Sequence, residues 1–215
     1  MRIAFDGATE HQLEPVARVR EVAMAAIAKL PVSGSGQGFL TGLFPPSEIA
    51  VLDPGLALDA INAIRGRDSD PEMTPLAALE RPAASTRAAD ETGGLDLSIE
   101  METGTGKTYT YLRTIFELAQ ARELGAFIIV VPSVAIREGV KTTIAQTRSH
   151  FASLYGGWRL ADFVYTGEAA QVRSFGTTKG AIDVMIVTLD SFNKDQNLLR
   201  RATETGGGAA LIEQI

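Results

Sequence analysis

The chain has 215 residues, of which 45% are hydrophobic and 21% charged, and its formal net charge is −6. This length and apolar content suffice for one or two domains with a sizeable core. The sequence has no cysteine, which excludes disulfides and thiolate metal sites, and its negative net charge excludes a global basic field for nucleic acid. Its longest strongly apolar run, residues 126–131, is too short to span a bilayer, so we expect a cytoplasmic protein without a membrane partner.

The first 94 residues predict a short helical region followed by a linker. Apolar spacing predicts a helix over 13–30 that ends at Pro31, and a second helix over 56–64. Glycine, serine and proline predict a loop over 31–46, and three prolines with mixed charges predict an exposed linker over 66–94.

From residue 95 onward, strand and helix patterns alternate. Strands are predicted over 95–101, 126–131, 162–166 and 182–188, and helices over 107–124, 134–155 and from about 209. The continuous apolar run at 126–131 is typical of a strand covered by helices on both faces. The pattern predicts an α/β domain with a mainly parallel sheet over 95–215, behind the region 1–94.

The segment from Met101 to Thr108 has the pattern of a phosphate-binding loop. The strict pattern begins with glycine, where this chain has Met101. Gly104 and Gly106 allow the backbone to turn tightly, so that its N–H groups surround a triphosphate. Lys107 would reach the β- and γ-phosphates, which makes it the candidate catalytic residue, and the Thr108 hydroxyl would bind Mg²⁺. The candidate residues for ATP–Mg²⁺ are Thr103, Gly104, Thr105, Gly106, Lys107 and Thr108.

Three segments together resemble one family. Residues 101–109 resemble motif I of superfamily-two helicases, 127–140 resemble motif Ia, and 183–195 resemble the segment that leads to the next DNA-contacting motif. The sequences of these segments, above all Pro-Ser-Val-Ala-Ile-Arg-Glu-Gly-Val from Pro132, are similar to that of the Res subunit of type III restriction enzymes. The resemblance extends well over residues 95–197 and loosely over 1–30.

The resemblance implies a RecA-like domain in an ATP-dependent DNA translocase that carries a C-terminal nuclease and works with a DNA methyltransferase (Mod-like) subunit. It also implies that Pro132, Ser133 and Thr188 contact DNA. From the residues alone, Ser133 is equally well explained as the N-cap of its helix, and Thr188 as the polar end of a strand.

Two interpretations of Gln12 stay open. The resemblance places a glutamine upstream of the loop against the adenine of ATP. Alternatively, Thr9 and Gln12 form a capping box at the start of a helix. That second interpretation places Pro15 inside the helix, whereas a helix that begins at Pro15 leaves Gln12 ahead of it.

Hydrolysis of ATP also needs an acidic motif that holds Mg²⁺ and orients water. The family has an Asp-Glu pair for this purpose, but the sequence contains this dipeptide once, at Asp90-Glu91, upstream of the loop. We therefore expect a partial RecA-like domain, incomplete at its C-terminal side, that hydrolyses ATP poorly by itself. The alternatives are a helicase without a nuclease, and a degenerate protein that binds a nucleotide or a partner without turnover.

Overall fold

The computed structural model describes residues 8–31, 48–67, 99–122, 124–176, 178 and 180–193. The described residues up to Arg122 belong to one compact unit, and those from 124 onward belong to another. The predicted domain boundary at 94/95 lies among residues outside the described part, so it stays a prediction.

The first unit combines three helices with an antiparallel strand pair. Its helices are α1 (Glu10–Ala26), α2 (Pro54–Arg67) and α3 (Lys107–Arg122), and its strands are β1 (Ile27–Pro31) and β2 (Glu48–Leu52). Strands β1 and β2 pair from Ile27 opposite Leu52 to Pro31 opposite Glu48.

Helix α1 packs against both other helices of this unit. Val22 and Ala26 form a buried cluster with Ala57 and Ile64 of α2. Helix α3 buries a face spaced i, i+3, i+4, i+7; its members are Leu112, Ile115, Phe116 and Ala119. The short side chains of Ala26 and Ala57, both fully buried, let α1 and α2 lie close together.

The second unit is an α/β layer structure around a parallel sheet. Its strands are β3 (Ala126–Val131), β4 (Leu160–Val164) and β5 (Ile182–Thr188), and its helices are α4 (Val134–Leu154), α5 (Ala169–Ser174) and α6 (Leu189–Asn193). The order β3-β5-β4, with both neighbours parallel to β5, confirms the predicted parallel sheet.

Strand β5 is the centre of this unit, because all seven of its residues are buried. Met185 and Val187 pack with Tyr165, Val172 and Phe175 on one face of the sheet. The alternate residues of β5 point to the opposite face. Helix α4 packs on β5 and β3 and buries its own apolar stripe, Val140, Ile144, Thr147 and Phe151.

Several predicted elements are confirmed: β3 and β5 have the predicted bounds, and α2, α3 and α4 lie where helices were expected. The helix predicted over 13–30 is wrong at both ends. It starts at Glu10 and stops at Ala26, because Ile27–Pro31 pairs with the distant strand Glu48–Leu52.

The remaining differences concern strands. Strand β4 begins two residues before the predicted 162–166, because its pairing with β5 starts at Leu160 opposite Ile182. Of the strand predicted over 95–101, the described residues 99–101 are not in a strand. Strand β3 is less covered than expected, since Val130 is 48% exposed. The predicted loop 31–46, linker 66–94 and helix near 209 fall wholly or mostly outside the described residues.

Two features are absent from the described part of the chain. None of the described helices is long and apolar enough to cross a bilayer. The same residues contain no group of three His, Cys, Asp or Glu side chains placed to hold a metal ion.

Asp183, 3% exposed at the start of β5, attaches the preceding loop to the sheet, since its Oδ2 accepts from the N–H groups of Gly176 at 2.8 Å and Thr178 at 3.2 Å. We expect Asp183→Asn to lower the free energy of unfolding by about 2 kcal/mol, because two partly buried, charge-assisted hydrogen bonds weaken. Urea unfolding measures this as a lower midpoint at an unchanged slope. The control is Asp162→Asn, which breaks the more exposed Arg148 pair; an equal effect in both variants would contradict the assignment.

Candidate functional site

A tight turn of two glycines precedes α3. Gly104 and Gly106 have φ angles of +85° and +88°, which L side chains rarely adopt. The Thr105 hydroxyl donates to the carbonyl oxygen of Glu102 at 2.7 Å, and the Thr110 N–H donates to the carbonyl oxygen of Gly106 at 3.0 Å. The loop therefore closes on itself and leads directly into the N-terminus of a sixteen-residue helix, whose free N–H groups favour an anion.

The side chain of Gln12 bridges this loop and the start of α1. Its amide nitrogen donates to the carbonyl oxygen of Thr105 at 3.0 Å, across 93 residues of sequence. Its amide oxygen accepts from the backbone N–H of Thr9 at 3.2 Å, as in a capping box. Helix α1 therefore begins after Thr9 with Pro15 inside it, and the glutamine that forms the cap also holds the loop.

A side chain at Gly106 would have to displace the Gln12 amide from its present position. A Cβ atom added there would lie 2.5 Å from Gln12 Nε2, whereas one added at Gly104 would meet nothing within 4 Å. The φ angles of both glycines disfavour any other residue, and a side chain at Gly106 would in addition disturb the hydrogen bonds of Gln12.

The residues that follow the turn fit a triphosphate with its metal. Lys107 is exposed at the first position of α3, free to extend its ammonium group toward an anion, and Thr108 is half-buried beside it. Burial raises the pKa of Tyr111, one turn further along, and the Thr108 side chain opposes that shift. Phosphates are bound by a cationic side chain and by the N–H groups of a tight turn, and Mg²⁺ is bound by a hydroxyl oxygen. All three kinds of group are present here.

The predicted DNA-contacting residues lie in the other unit, at one edge of its sheet. Strands β3 and β5 are parallel and in register, with Val131 opposite Thr188. Pro132 and Ser133, which follow Val131, therefore leave the sheet beside the end of β5. The fold brings Pro132, Ser133 and Thr188 together at the carboxyl ends of two neighbouring strands.

These residues differ in exposure. Ser133 is exposed and caps α4, since its Oγ accepts from the Ile136 N–H at 3.4 Å. Thr188 is 8% exposed, and its hydroxyl lies 2.9 Å from the Ser191 hydroxyl. Ser133 thus faces solvent directly, whereas the buried hydroxyl of Thr188 contacts that of Ser191.

A compact charge cluster follows the cap on α4. Arg137 donates through Nε to Glu138 Oε1 at 3.0 Å, and Lys141 Nζ donates to Glu138 Oε2 at 2.9 Å. These hydrogen bonds, from Lys141 first and Arg137 second, hold the pKa of Glu138 below its usual value. One carboxylate therefore engages two cations within about two turns of Ser133.

Sequence reasoning missed two polar side chains near this edge and the charge cluster. Ser191 stands three residues after Thr188, a spacing at which hydroxyl side chains meet at a helix start. Thr166, just past the end of β4, is bonded through its N–H to Gln171 Oε1 at 2.9 Å. The pattern Arg-Glu-x-x-Lys from Arg137 is visible in the sequence as pairing at i, i+3.

The family is established by comparison with known proteins. A family model described as type III restriction enzyme, res subunit, matches residues 72–210, which is well over half of the chain. The chain belongs to this family. Its α/β unit with a parallel sheet is accordingly a RecA-like helicase-type domain, as predicted.

Individual relatives match over a shorter stretch. The chain is 43% identical over 67 residues to the Res subunit of the type III restriction-modification enzyme StyLTI of Salmonella typhimurium, covering 30% of this chain and 7% of the relative. It is 41% identical over 61 residues to the Res subunits of EcoP15I of Escherichia coli and EcoPI of Escherichia phage P1, covering 27% of this chain and 6% of each relative. The matched part is less than a tenth of each curated relative.

Alanine at the two loop glycines separates backbone strain from the contact with Gln12. We expect Gly104→Ala to lower the free energy of unfolding by about 1–2 kcal/mol, through its positive φ alone. Gly106→Ala should cost about 1–2 kcal/mol more, because its methyl group displaces the Gln12 amide from two hydrogen bonds.

The same pair of substitutions in a Gln12→Ala background completes the cycle. There the difference between Gly104→Ala and Gly106→Ala should vanish, since the displaced amide is gone. Chemical denaturation without nucleotide gives all the values. A difference that persists without Gln12 would show that the amide is not what constrains Gly106.

Proposed function

We propose that this chain forms the ATP-binding and DNA-contacting part of the motor in a type III restriction enzyme of the Res class. The loop of Gly104 and Gly106, held by Gln12 and followed by exposed Lys107, is the observation that carries the proposal. Membership in the family supports the class of enzyme. Because DNA is the proposed ligand, the cytoplasm is the proposed location.

The nucleotide would be ATP with Mg²⁺. The backbone of Thr103, Gly104, Thr105 and Gly106 would surround the phosphates, Lys107 would neutralise their charge, and Thr108 would offer its hydroxyl to the metal. The bound metal ion would supply charge stabilisation at the transferred phosphoryl group. Gln12 would set the loop geometry through Thr105, and contact with the adenine remains its alternative proposed role.

Lys107→Ala should abolish ATP–Mg²⁺ binding and leave the fold intact, because Lys107 is exposed rather than part of the core. Titration calorimetry measures binding, and a thermal melt without ligand measures stability. Lys141→Ala removes the same side chain from α4 and should bind ATP as the unmodified chain does. Unchanged binding in Lys107→Ala, or its unfolding without ligand, would contradict the assignment.

ATP hydrolysis can be measured on the same sample that is used for calorimetry. We expect a phosphate-release assay to show no appreciable hydrolysis under conditions where calorimetry shows binding, since no Asp-Glu pair follows Thr108 in this sequence. Steady turnover would mean that another carboxylate holds the metal ion. It would also remove the main support for the alternative of a nucleotide-binding protein without turnover.

For DNA, the proposed contact is the start of α4. Exposed Ser133 and the first N–H groups of a 21-residue helix would bind a backbone phosphate, with Pro132 beside them and Thr188 acting through Ser191. Contacts of this type are independent of base sequence, as a translocating motor requires. A DNA methyltransferase subunit would be the protein partner.

Two substitutions at Ser133 separate capping from phosphate binding. Asparagine and aspartate are both strong N-caps, so both variants should keep α4 and melt near the temperature of the unmodified chain. We expect Ser133→Asp to bind a duplex of about 30 base pairs about tenfold more weakly than Ser133→Asn, because a carboxylate repels the phosphate. Fluorescence anisotropy at low salt measures both affinities. Equal affinities would place the DNA elsewhere.

A further inference from the structure

The cluster of Arg137, Glu138 and Lys141 suggests a role that Ser133 alone does not explain. Arg137 and Lys141 are cations within two turns of the proposed phosphate contact, and both are tied to one carboxylate. Among the described residues, neither cation has a different acidic partner within 4.0 Å. The three side chains, which are 24%, 49% and 43% exposed, lie at the surface where a ligand reaches them.

Their spacing places them in line with the cap. Val134, Arg137, Glu138 and Lys141 follow the i, i+3, i+4, i+7 pattern, so they form one stripe that starts at the helix N-terminus. Val134, at the head of that stripe, is 56% exposed, so the stripe opens to solvent from its first residue. A strand whose phosphate meets Ser133 therefore has the two cations next along the helix.

We propose that Glu138 is an internal competitor for the DNA phosphates and holds the affinity of this surface down. It occupies Arg137 and Lys141 with its two oxygens until phosphates of the DNA backbone take their place. A motor that advances along DNA has to release each contact it makes, and a built-in counter-ion makes release easier. This inference rests on the proposed DNA contact of Ser133.

The competing carboxylate also reduces the net charge of the stripe. Arg137, Glu138 and Lys141 sum to +1, whereas the same stripe with glutamine at 138 sums to +2. Affinity for a duplex depends on the number of phosphates neutralised, and each one steepens the dependence of log K on log salt by about 0.9. The slope of log K against log salt therefore reports the release of the two cations, independently of the affinity measured at any single salt concentration.

The test is Glu138→Gln in the whole chain, with a duplex of about 30 base pairs and anisotropy titrations between about 50 and about 200 mM salt. We expect about 3- to 10-fold tighter binding at the lowest salt and a salt slope steeper by about 1. Glutamine keeps the shape of the side chain, and Glu138 is exposed, so the variant should melt as the unmodified chain does.

Asp162→Asn is the matched control. It removes one negative charge and breaks the Arg148 pair on the same helix, but Arg148 lies eleven residues beyond Arg137 and seven beyond Lys141, about 16 Å and about 10 Å along the axis. Both distances exceed the screening length of about 7 Å at about 200 mM salt, but only the first exceeds the length of about 14 Å at about 50 mM, so the control is compared at about 200 mM. The control should therefore change DNA affinity less than about twofold.

The remaining outcomes overturn the inference in distinguishable ways. If Glu138→Gln binds no tighter than Asp162→Asn, the cluster lies outside the DNA interface. If Glu138→Gln binds more weakly than the unmodified chain, Glu138 orients Arg137 for DNA and does not compete. In both cases a difference between Ser133→Asp and Ser133→Asn keeps the proposed DNA contact. Absence of DNA binding by every variant would overturn that contact, and the inference with it.

Discussion

The pairing of β3 with β5 in parallel register is the constraint on which the DNA-facing edge depends. All seven residues of β5 are buried, so a slip by one residue would turn Asp183, with its two loop hydrogen bonds, to the wrong face. The register that this burial enforces sets Val131 opposite Thr188. Ser133 and Thr188 consequently leave the sheet at the same end, although 55 positions separate them in sequence. The core thus decides which polar residues become neighbours, and their side chains supply only the local chemistry.

In the other unit, a single amide links local capping to a distant loop. A capping box normally serves its own helix, and for that purpose glutamate at position 12 would do as well. The donor that reaches the Thr105 carbonyl has to be an N–H, which glutamate lacks. Glutamine therefore satisfies both partners, and the close approach of its Nε2 explains why the loop needs glycine at 106 beyond the demand of its φ angle. Of the two interpretations of Gln12 drawn from the sequence, the structure has the cap and adds a contact with the loop, while contact with the adenine stays a prediction.

Sequence patterns predicted most elements of the parallel sheet unit, because a strand buried on both faces leaves a strong apolar signal, as in Val184 to Val187. They failed where the structure depends on pairing between distant segments. Ile27 and Leu30 continue the helical spacing of α1, yet they belong to β1, whose partner begins at Glu48. Gly104, Gly106 and the cap at Ser133 were predictable because backbone geometry restricts the residue type. The Gln12–Thr105 contact was not, since no local pattern records which carbonyl lies 93 residues away.

The ion pairs of Glu138 with Arg137 and Lys141 can be broken either by protonation of Glu138 or by a competing anion. Two cations lower the pKa of Glu138, so its carboxylate stays ionised through neutral pH, and the stabilisation from the pairs fades only as the pH falls through that lowered pKa in acid. Protonation is therefore not the event that frees Arg137 and Lys141 under ordinary conditions. A competing anion is what frees these two cations. Because the cluster is exposed, salt screens both its internal pairs and any phosphate that replaces them. Exchange of one anion for another at nearly constant charge separation has a small net free energy, which suits a contact that a moving protein has to make and break repeatedly.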